Sequence, residues 1–425
     1  MTGMNDGMYE KELSCTQLDY RSREKVDKGG HRSGKSGSGM TAVVGLFSGI
    51  EYFEFPDGGG AFRRRGDTTI TYAGDPMKPI IPPVPLAVWR NLYLAARKFQ
   101  SLRPWMVLGD RDLIGIRDPS GGETGFGVVM GSAGTLFGFV LYLGAEGFGA
   151  YRSLMENPPR GEWVDSLSLQ RCVKGEFTAQ SDLTGDDLAI VRKLGMSFSG
   201  KNAWPQFRSL LPGYAPWFLT EAEARFLALG FRTACHHHER LGRGEVAGSL
   251  RDGECLVYTP AAGNEYNSAW ESWPAEARHA VTPPVLDLAR LTALRAKKTE
   301  PDSPWEADVF YYPSLIMDSE RPYFMRIAAV CQESTGFAFL AEVGSPETPL
   351  PQMLADAICS SIEKHGFIPV TVFVKQAAVA AALMPLAKAL GITVRARGDL
   401  GAVEMLRRET IKALDRTPRG RGKKR

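Results

Sequence analysis

From Trp305 onward the chain arranges its secondary-structure signals in an order that admits few folds. Strand-like runs come first: Ala307–Tyr312, Tyr323–Val330 and Phe337–Val343. The tight turn Glu333-Ser334-Thr335-Gly336 joins the second and third as a hairpin. A helical run from about Gln352 to His365 stops at Gly366. Strand Ile368–Val374, helix Ala377–Leu390, strand Ile392–Arg397 and helix Ala402–Leu414 follow, with Gly391 ending the middle helix. Pro385 lies inside that helix and should kink it or restart it at a new first turn. A hairpin followed by strand–helix–strand units predicts a mixed sheet flanked by helices.

Ahead of this block, length leaves room for more than one core. The 425 residues suffice for two or three domains. Residues 1–40 are polar, lack periodicity and end in a Gly/Ser-rich run, which predicts a disordered head. Met40 follows directly and is an alternative start. Residues 41–85 hold short strand-like pieces (Ile50–Phe55, Thr68–Tyr72) and a Pro-rich linker from Pro79 to Pro85. A helix is predicted from Leu86 to Phe99, with Val88, Trp89, Leu92, Tyr93, Ala96 and Phe99 on one face. Strand-like Asp112–Ile116 and Gly125–Met130 flank the turn at 118–122, and Leu136–Leu143 reads as a further strand. Residues 86–157 are thus expected to form an α+β unit and 158–300 a helix-rich middle segment. Within the latter, Asp186–Leu194 ends at Gly195, and Thr220 with Glu223 makes a capping box opening a helix to about Leu241. Glu254–Thr259 is strand-like, and Pro283-Pro284 starts a helix through Lys297. Residues 301–416 form the C-terminal domain and 417–425 a basic tail.

Charge and cysteine usage exclude some classes. A net charge of +3 is too small to argue for nucleic acid by itself. The end of the chain is different: Arg416, Arg419, Arg421, Lys423, Lys424 and Arg425 crowd together with no acid, a candidate nucleic-acid contact or a solubilising end. No apolar run approaches the ~18 residues of a membrane span, so no membrane partner is expected. The first residues have no apolar core of a secretory signal. Six cysteines without CxxC spacing argue against a zinc ribbon or a disulfide scaffold and suit the cytoplasm.

Three patterns invite chemistry and have plainer readings. Gly29-x4-Gly34-Lys35-Ser36 fits the P-loop letters, but neither the strand nor the helix that would aim it at phosphate flanks it. A flexible linker fits better. In Cys235-His236-His237-His238-Glu239, successive helix positions diverge by about 100°. Only pairs such as Cys235 with His238 share a face, and zinc would need ligands from elsewhere. The plainer reading is a helix C-terminal turn. Aromatics between Asn202 and Phe218, beside Lys201 and Arg208, could stack bases but are better read as core. Asp110 and Asp112 are better read as a solvated edge. No motif calls for a cofactor, and no GxSxG elbow is present.

Two resemblances join these readings. The strings Gly200-Lys201-Asn202-Ala203-Trp204-Pro205-Gln206-Phe207-Arg208-Ser209, Pro212-Gly213-Tyr214-Ala215-Pro216-Trp217-Phe218-Leu219-Thr220 and Glu223-Ala224-Arg225-Phe226-Leu227 resemble a family of uncharacterised bacterial proteins that pairs two domains of unknown function. So do Val129-Met130-Gly131 and Tyr142-Leu143-Gly144-Ala145-Glu146-Gly147. That resemblance implies no activity. Over about 305–400 the chain resembles the integrase and transposase catalytic cores, through Trp305-x-x-Asp308, Arg321-Pro322-Tyr323, Ser334-Thr335-Gly336 and Glu363-Lys364-His365-Gly366-Phe367-Ile368-Pro369. It implies a ribonuclease H-like fold with Asp308 in the place of the first metal-binding carboxylate. Such enzymes hold paired magnesium ions with two or three carboxylates. The second-carboxylate region here reads Val374-Lys375-Gln376, and Ala377–Leu390, expected to bring a third, holds no Asp or Glu.

The fold class expected is therefore α/β and α+β, multi-domain, with a C-terminal ribonuclease H-like mixed sheet flanked by helices. The function expected is a non-catalytic binding or scaffold protein, with nucleic acid reached through the basic tail. One alternative is a divergent metal-dependent nuclease using Asp308 with helpers among Glu333, Glu342 and Asp399. Another is a protein-interaction module.

Overall fold

The computed structural model describes residues 50–54, 60–64 and 79–415, apart from 121, 135, 157–162, 247, 249, 252, 263–264, 275–280, 301–302 and 318. The expected head, the Gly29–Ser36 pattern, Thr68–Tyr72 and the tail from Arg416 to Arg425 lie outside the described residues. Strands β1 (Ile50–Glu54) and β2 (Gly60–Arg64) pair antiparallel. The described residues divide into two compact units, one mainly 81–274 and the other mainly 281–415 with β1 and β2.

The first unit is built on one large sheet. Its strands are β3 (Leu113–Arg117), β4 (Thr124–Met130), β5 (Phe137–Leu143), β6 (Cys172–Thr178), β7 (Trp204–Leu210), β8 (Leu250–Arg251), β9 (Glu254–Pro260) and β10 (Tyr266–Ser272). The order is β10-β9-β3-β4-β5-β6-β7, with β8 on β9. Neighbours are antiparallel except β3 and β9, which run parallel with Gly115 opposite Val257. The segment read as helix-rich, 158–300, supplies β6 to β10. The aromatic run 202–218 contributes β7 rather than a free surface, and Pro205 is tolerated because β7 is an edge.

Both sheet faces are covered, which is why β5 reads as an unbroken apolar run. Phe139, Leu141 and Leu143 enter one core with helices α1 (Leu86–Leu102) and α5 (Glu221–Gly242). Val140 and Tyr142 enter the other with Phe148 and Tyr151 of α2 (Gly144–Glu156). Two short helices complete the unit, α3 (Trp163–Ser168) and α4 (Gly185–Leu194). The α5 capping box forms as expected: the Glu223 N–H donates to Thr220 Oγ1 at 3.3 Å, and the Thr220 N–H donates to Glu223 Oε2 at 2.8 Å. Thr220→Ala should cost about 1 kcal/mol in urea unfolding. An unchanged midpoint would mean that packing alone sets this helix start.

The second unit begins with α6 (Leu288–Arg295), shorter than the helix expected from Pro283 to Lys297, and β11 (Lys298–Glu300). Its sheet holds β12 (Trp305–Ile316), β13 (Tyr323–Gln332), β14 (Ala338–Gly344), β16 (Thr371–Val374) and β17 (Thr393–Ala396), while β15 (Phe367–Pro369) pairs with β11. The order is β14-β13-β12-β16-β17, antiparallel through the first three and parallel across β12, β16 and β17. That connectivity is ribonuclease H-like. Helices α7 (Leu350–His365), α8 (Ala377–Ala382) and α9 (Met384–Leu390) cover one face with Trp305 and Ala307. Helix α10 (Gly401–Asp415) covers the other with Phe310 and Tyr312. Pro385 restarts the helix, separating α8 from α9.

Candidate functional site

Trp305-x-x-Asp308 sits on β12, and strand alternation sends its members to opposite faces. Trp305 and Ala307 are fully buried beneath α7. Glu306 and Asp308 share the face covered by α10. Glu306 is the buried one, at 2% exposure. One carboxylate oxygen accepts from the Arg397 guanidinium. The other accepts from the backbone N–H groups of Ala402 at 2.7 Å and Val403 at 3.0 Å, in the first turn of α10. A carboxylate there satisfies donors that no helix can satisfy internally and meets the positive end of the dipole.

Arg397, just past β17, is committed on every edge. It donates to Glu306 and Glu333, and its Nε donates to the Asp399 carbonyl at 3.0 Å. The guanidinium lies 4.0 Å above the centre of the Phe373 ring. A cation clamped between two carboxylates and an aromatic face is a locking element.

Asp308 is half-buried, two residues along from Glu306. Trp305 pairs with Val372 and Glu306 with Phe373. Continuing this parallel register places Asp308 level with Lys375, an exposed residue. The other expected helpers lie elsewhere. Glu342 is opposite Ala328, whose side chain packs under α7, whereas Asp308 is opposite Ala329 in the core under α10. Glu342 is therefore on the other face of the sheet from Asp308. Glu333 lies beyond the end of β13, four residues from the partner of Asp308, or about 13 Å along the strand, and is held by Arg397. Asp399 is exposed, and its carbonyl serves Arg397.

The segment expected to bring a third acid covers the other face of the sheet. Val379 and Leu386, in the segment Ala377–Leu390, pack under the face opposite Asp308. The helix on the Asp308 side is α10, and its first-turn acid is Glu404, ion-paired with Arg408 at 3.2 Å. Among the described residues, no group of three or more His, Cys, Asp and Glu is placed to hold a metal ion.

On α5, Cys235 is buried in the apolar core and burial pushes its thiol up to about 12. His238 Nδ1 is buried and, among the described residues, has no hydrogen-bond partner. His237, between them, is the most constrained of the three: it is fully buried, with Nδ1 2.7 Å from the Tyr258 hydroxyl and Nε2 without a partner among the described residues. Asp112 accepts from the Gly109 N–H at 2.7 Å, a local loop bond. Arg208, among the aromatics at 202–218, makes a paired contact with Asp187 at 2.7 and 2.8 Å and stacks over Phe218. Sequence reasoning missed Glu306 and Arg397. Period two from Asp308 marks Glu306 as sharing its face, but nothing local marks Arg397 as its partner.

Two family models match the chain. One, described as Domain of unknown function (DUF7309), matches residues 89–257. The other, described as Domain of unknown function (DUF6930), matches residues 290–410. Among curated proteins none matches. Solved structures with some similarity include the catalytic core domain of BIV integrase, at 19% identity and a TM-score of 0.21, covering 27% of this chain and 70% of that one. A second is the HTLV-2 integrase catalytic core domain in complex with magnesium, at 12% and 0.21, covering 29% and 80%. A third is the simian T-cell lymphotropic virus intasome in complex with a PP2A regulatory subunit, at 13% and 0.23, covering 34% and 49%. The ribonuclease H-like assignment rests on strand order and direction. Among the described residues no helix is long and apolar enough to cross a membrane.

Proposed function

We propose that this chain is a non-catalytic binding or scaffold protein of the bacterial cytoplasm, whose ribonuclease H-like unit keeps the fold of a nuclease core without its chemistry. The observation that carries this reading is the parallel register of β12 with β16, which, continued one residue past Val374, brings Lys375 level with Asp308. Where a paired-metal site needs a second carboxylate, an ammonium repels divalent ions. Glu306, the buried acid on the same face, is spent on Arg397 and the α10 N-terminus, so it is not available to a metal. Nucleic acid is the favoured partner, reached through the six basic residues between Arg416 and Arg425. Contacts of that kind release counterions and weaken steeply with salt.

The test is binding and cleavage of single- and double-stranded DNA and RNA by the full chain and by a Thr417–Arg425 deletion, at two salt concentrations, with magnesium or manganese. We expect salt-sensitive binding that the deletion abolishes, and no cleavage in either metal. Metal-dependent cleavage lost in Asp308→Asn would overturn the non-catalytic reading and make Glu404 the first candidate helper. Absence of binding would remove nucleic acid and turn the search to protein partners.

A further inference from the structure

The first unit contains a cleft of about 360 Å³ between the starts of α1 and α5, bordered by the turn at 118–120 and by Pro260, Ala261, Glu265 and Tyr266. Lys98 of α1 pairs with Glu239 of α5 at 2.9 Å. Two turns earlier on each helix stand Asn91 and Arg232, both lining the cleft, so the helices run parallel and present matching faces to it. Val88, Phe226 and Leu229 give it a buried apolar floor. One wall is the Tyr266 ring, held by stacking on His236 with centroids 4.6 Å apart. The volume is at the small end of ligand pockets, which run from about 300 to 1,000 Å³. It suits a molecule smaller than a nucleotide cofactor.

The charges decide what kind of molecule. Arg225 is paired with Glu221 at 2.6 Å. Asp118 accepts from the Ser120 N–H at 3.0 Å within its own turn. Arg232 and Glu265 are exposed on the same cleft, and among the described residues neither makes an ion pair or a side-chain hydrogen bond. A simple anion placed there meets the carboxylates of Glu265 and Asp118. A simple cation meets the guanidinium groups of Arg232 and Arg225. A molecule carrying one charge of each sign satisfies both open groups and is penalised by neither. With an apolar floor in the same cleft, the geometry points to a free amino acid with an apolar or aromatic side chain. We propose that this cleft binds such a zwitterion, its carboxylate on Arg232 with Asn91 as a second donor, its ammonium on Glu265, and its side chain on Val88, Phe226 and Leu229.

Isothermal titration of the full chain with phenylalanine, leucine, N-acetylphenylalanine and phenethylamine tests this. Phenylalanine and leucine should bind, and the two singly charged analogues should bind at least tenfold more weakly. Arg232→Gln and Glu265→Gln should each weaken phenylalanine at least tenfold while leaving the thermal midpoint unchanged, since both side chains are exposed. The proposal fails if millimolar phenylalanine and leucine give no binding heat. It also fails if N-acetylphenylalanine or phenethylamine binds as tightly as phenylalanine, or if either variant binds normally.

Discussion

Glu306→Ala is expected to destabilise the C-terminal unit by on the order of 3 kcal/mol. The side chain is 3% exposed, and its Arg397 partner 31%, so the ion pair is only partly screened by water. Removing the carboxylate also strands the N–H groups of Ala402 and Val403 at the start of α10. Those donors were turned inward and lose the carboxylate that accepts from them. Arg397 keeps Glu333 and the Phe373 ring, which moderates the loss. Glu306→Gln should cost less, because an amide oxygen still accepts from one N–H while the charge facing the helix dipole is gone. Urea unfolding of the three proteins, followed by helical circular dichroism, gives the comparison. An alanine variant with the native midpoint would mean that the lock contributes nothing to folding.

Acid should loosen the first unit in a window set by His237. Burial, and then the neighbouring charges of Arg240, His236 and His238, lower its pKa from 6.5 to about 4. The unfolded chain therefore takes up a proton at a pH where the folded chain refuses it. Stability from this residue is fully present above about pH 6.5 and is lost as pH falls from there toward 4, by about 3 kcal/mol in total. His236 is lowered in the same direction, first by burial, and adds to the slope. The expected result is a unit clearly weaker at pH 5 than at pH 7.5. His237→Gln should flatten most of that difference, whatever its own cost at neutral pH. Equal pH slopes in the two proteins would show that His237 takes up its proton alike in the folded and unfolded chains, and so that burial does not hold it neutral.

The C-terminal unit was legible because each local signal agreed with the global one. Gly366 and Gly391 adopt the left-handed conformation at helix ends, at φ of 81° and 71°, as helix-stopping glycines should. Pro385 restarted its helix, and the hairpin formed where Glu333-Ser334-Thr335-Gly336 placed it. Legibility failed where pairing is distant. Tyr266–Ser272 and Trp204–Leu210 are the two edges of one sheet, and edge strands carry weaker alternation and tolerate Pro205. Sequence shows their aromatics but not which strand receives them. The same limit governs the candidate site. Lys375 could be read beside Asp308 from the resemblance, but Glu306 is joined to an arginine 91 residues away, and that pairing exists only in the fold. The face covered by Ala377–Leu390 was likewise a matter of crossover geometry.

The parallel pairing of β3 with β9 has a consequence for how the chain is made. Gly115 must wait for Val257, which leaves the ribosome more than 140 residues later. At about 5–20 residues per second, β3 spends roughly 7–30 s as an open, apolar strand edge. During that interval β4 can already pair with it and β5 with β4, so the nascent chain carries a partly built sheet with one unsealed border. Translation stalled before Glu254 would release a sheet that can be closed only by a strand from another molecule.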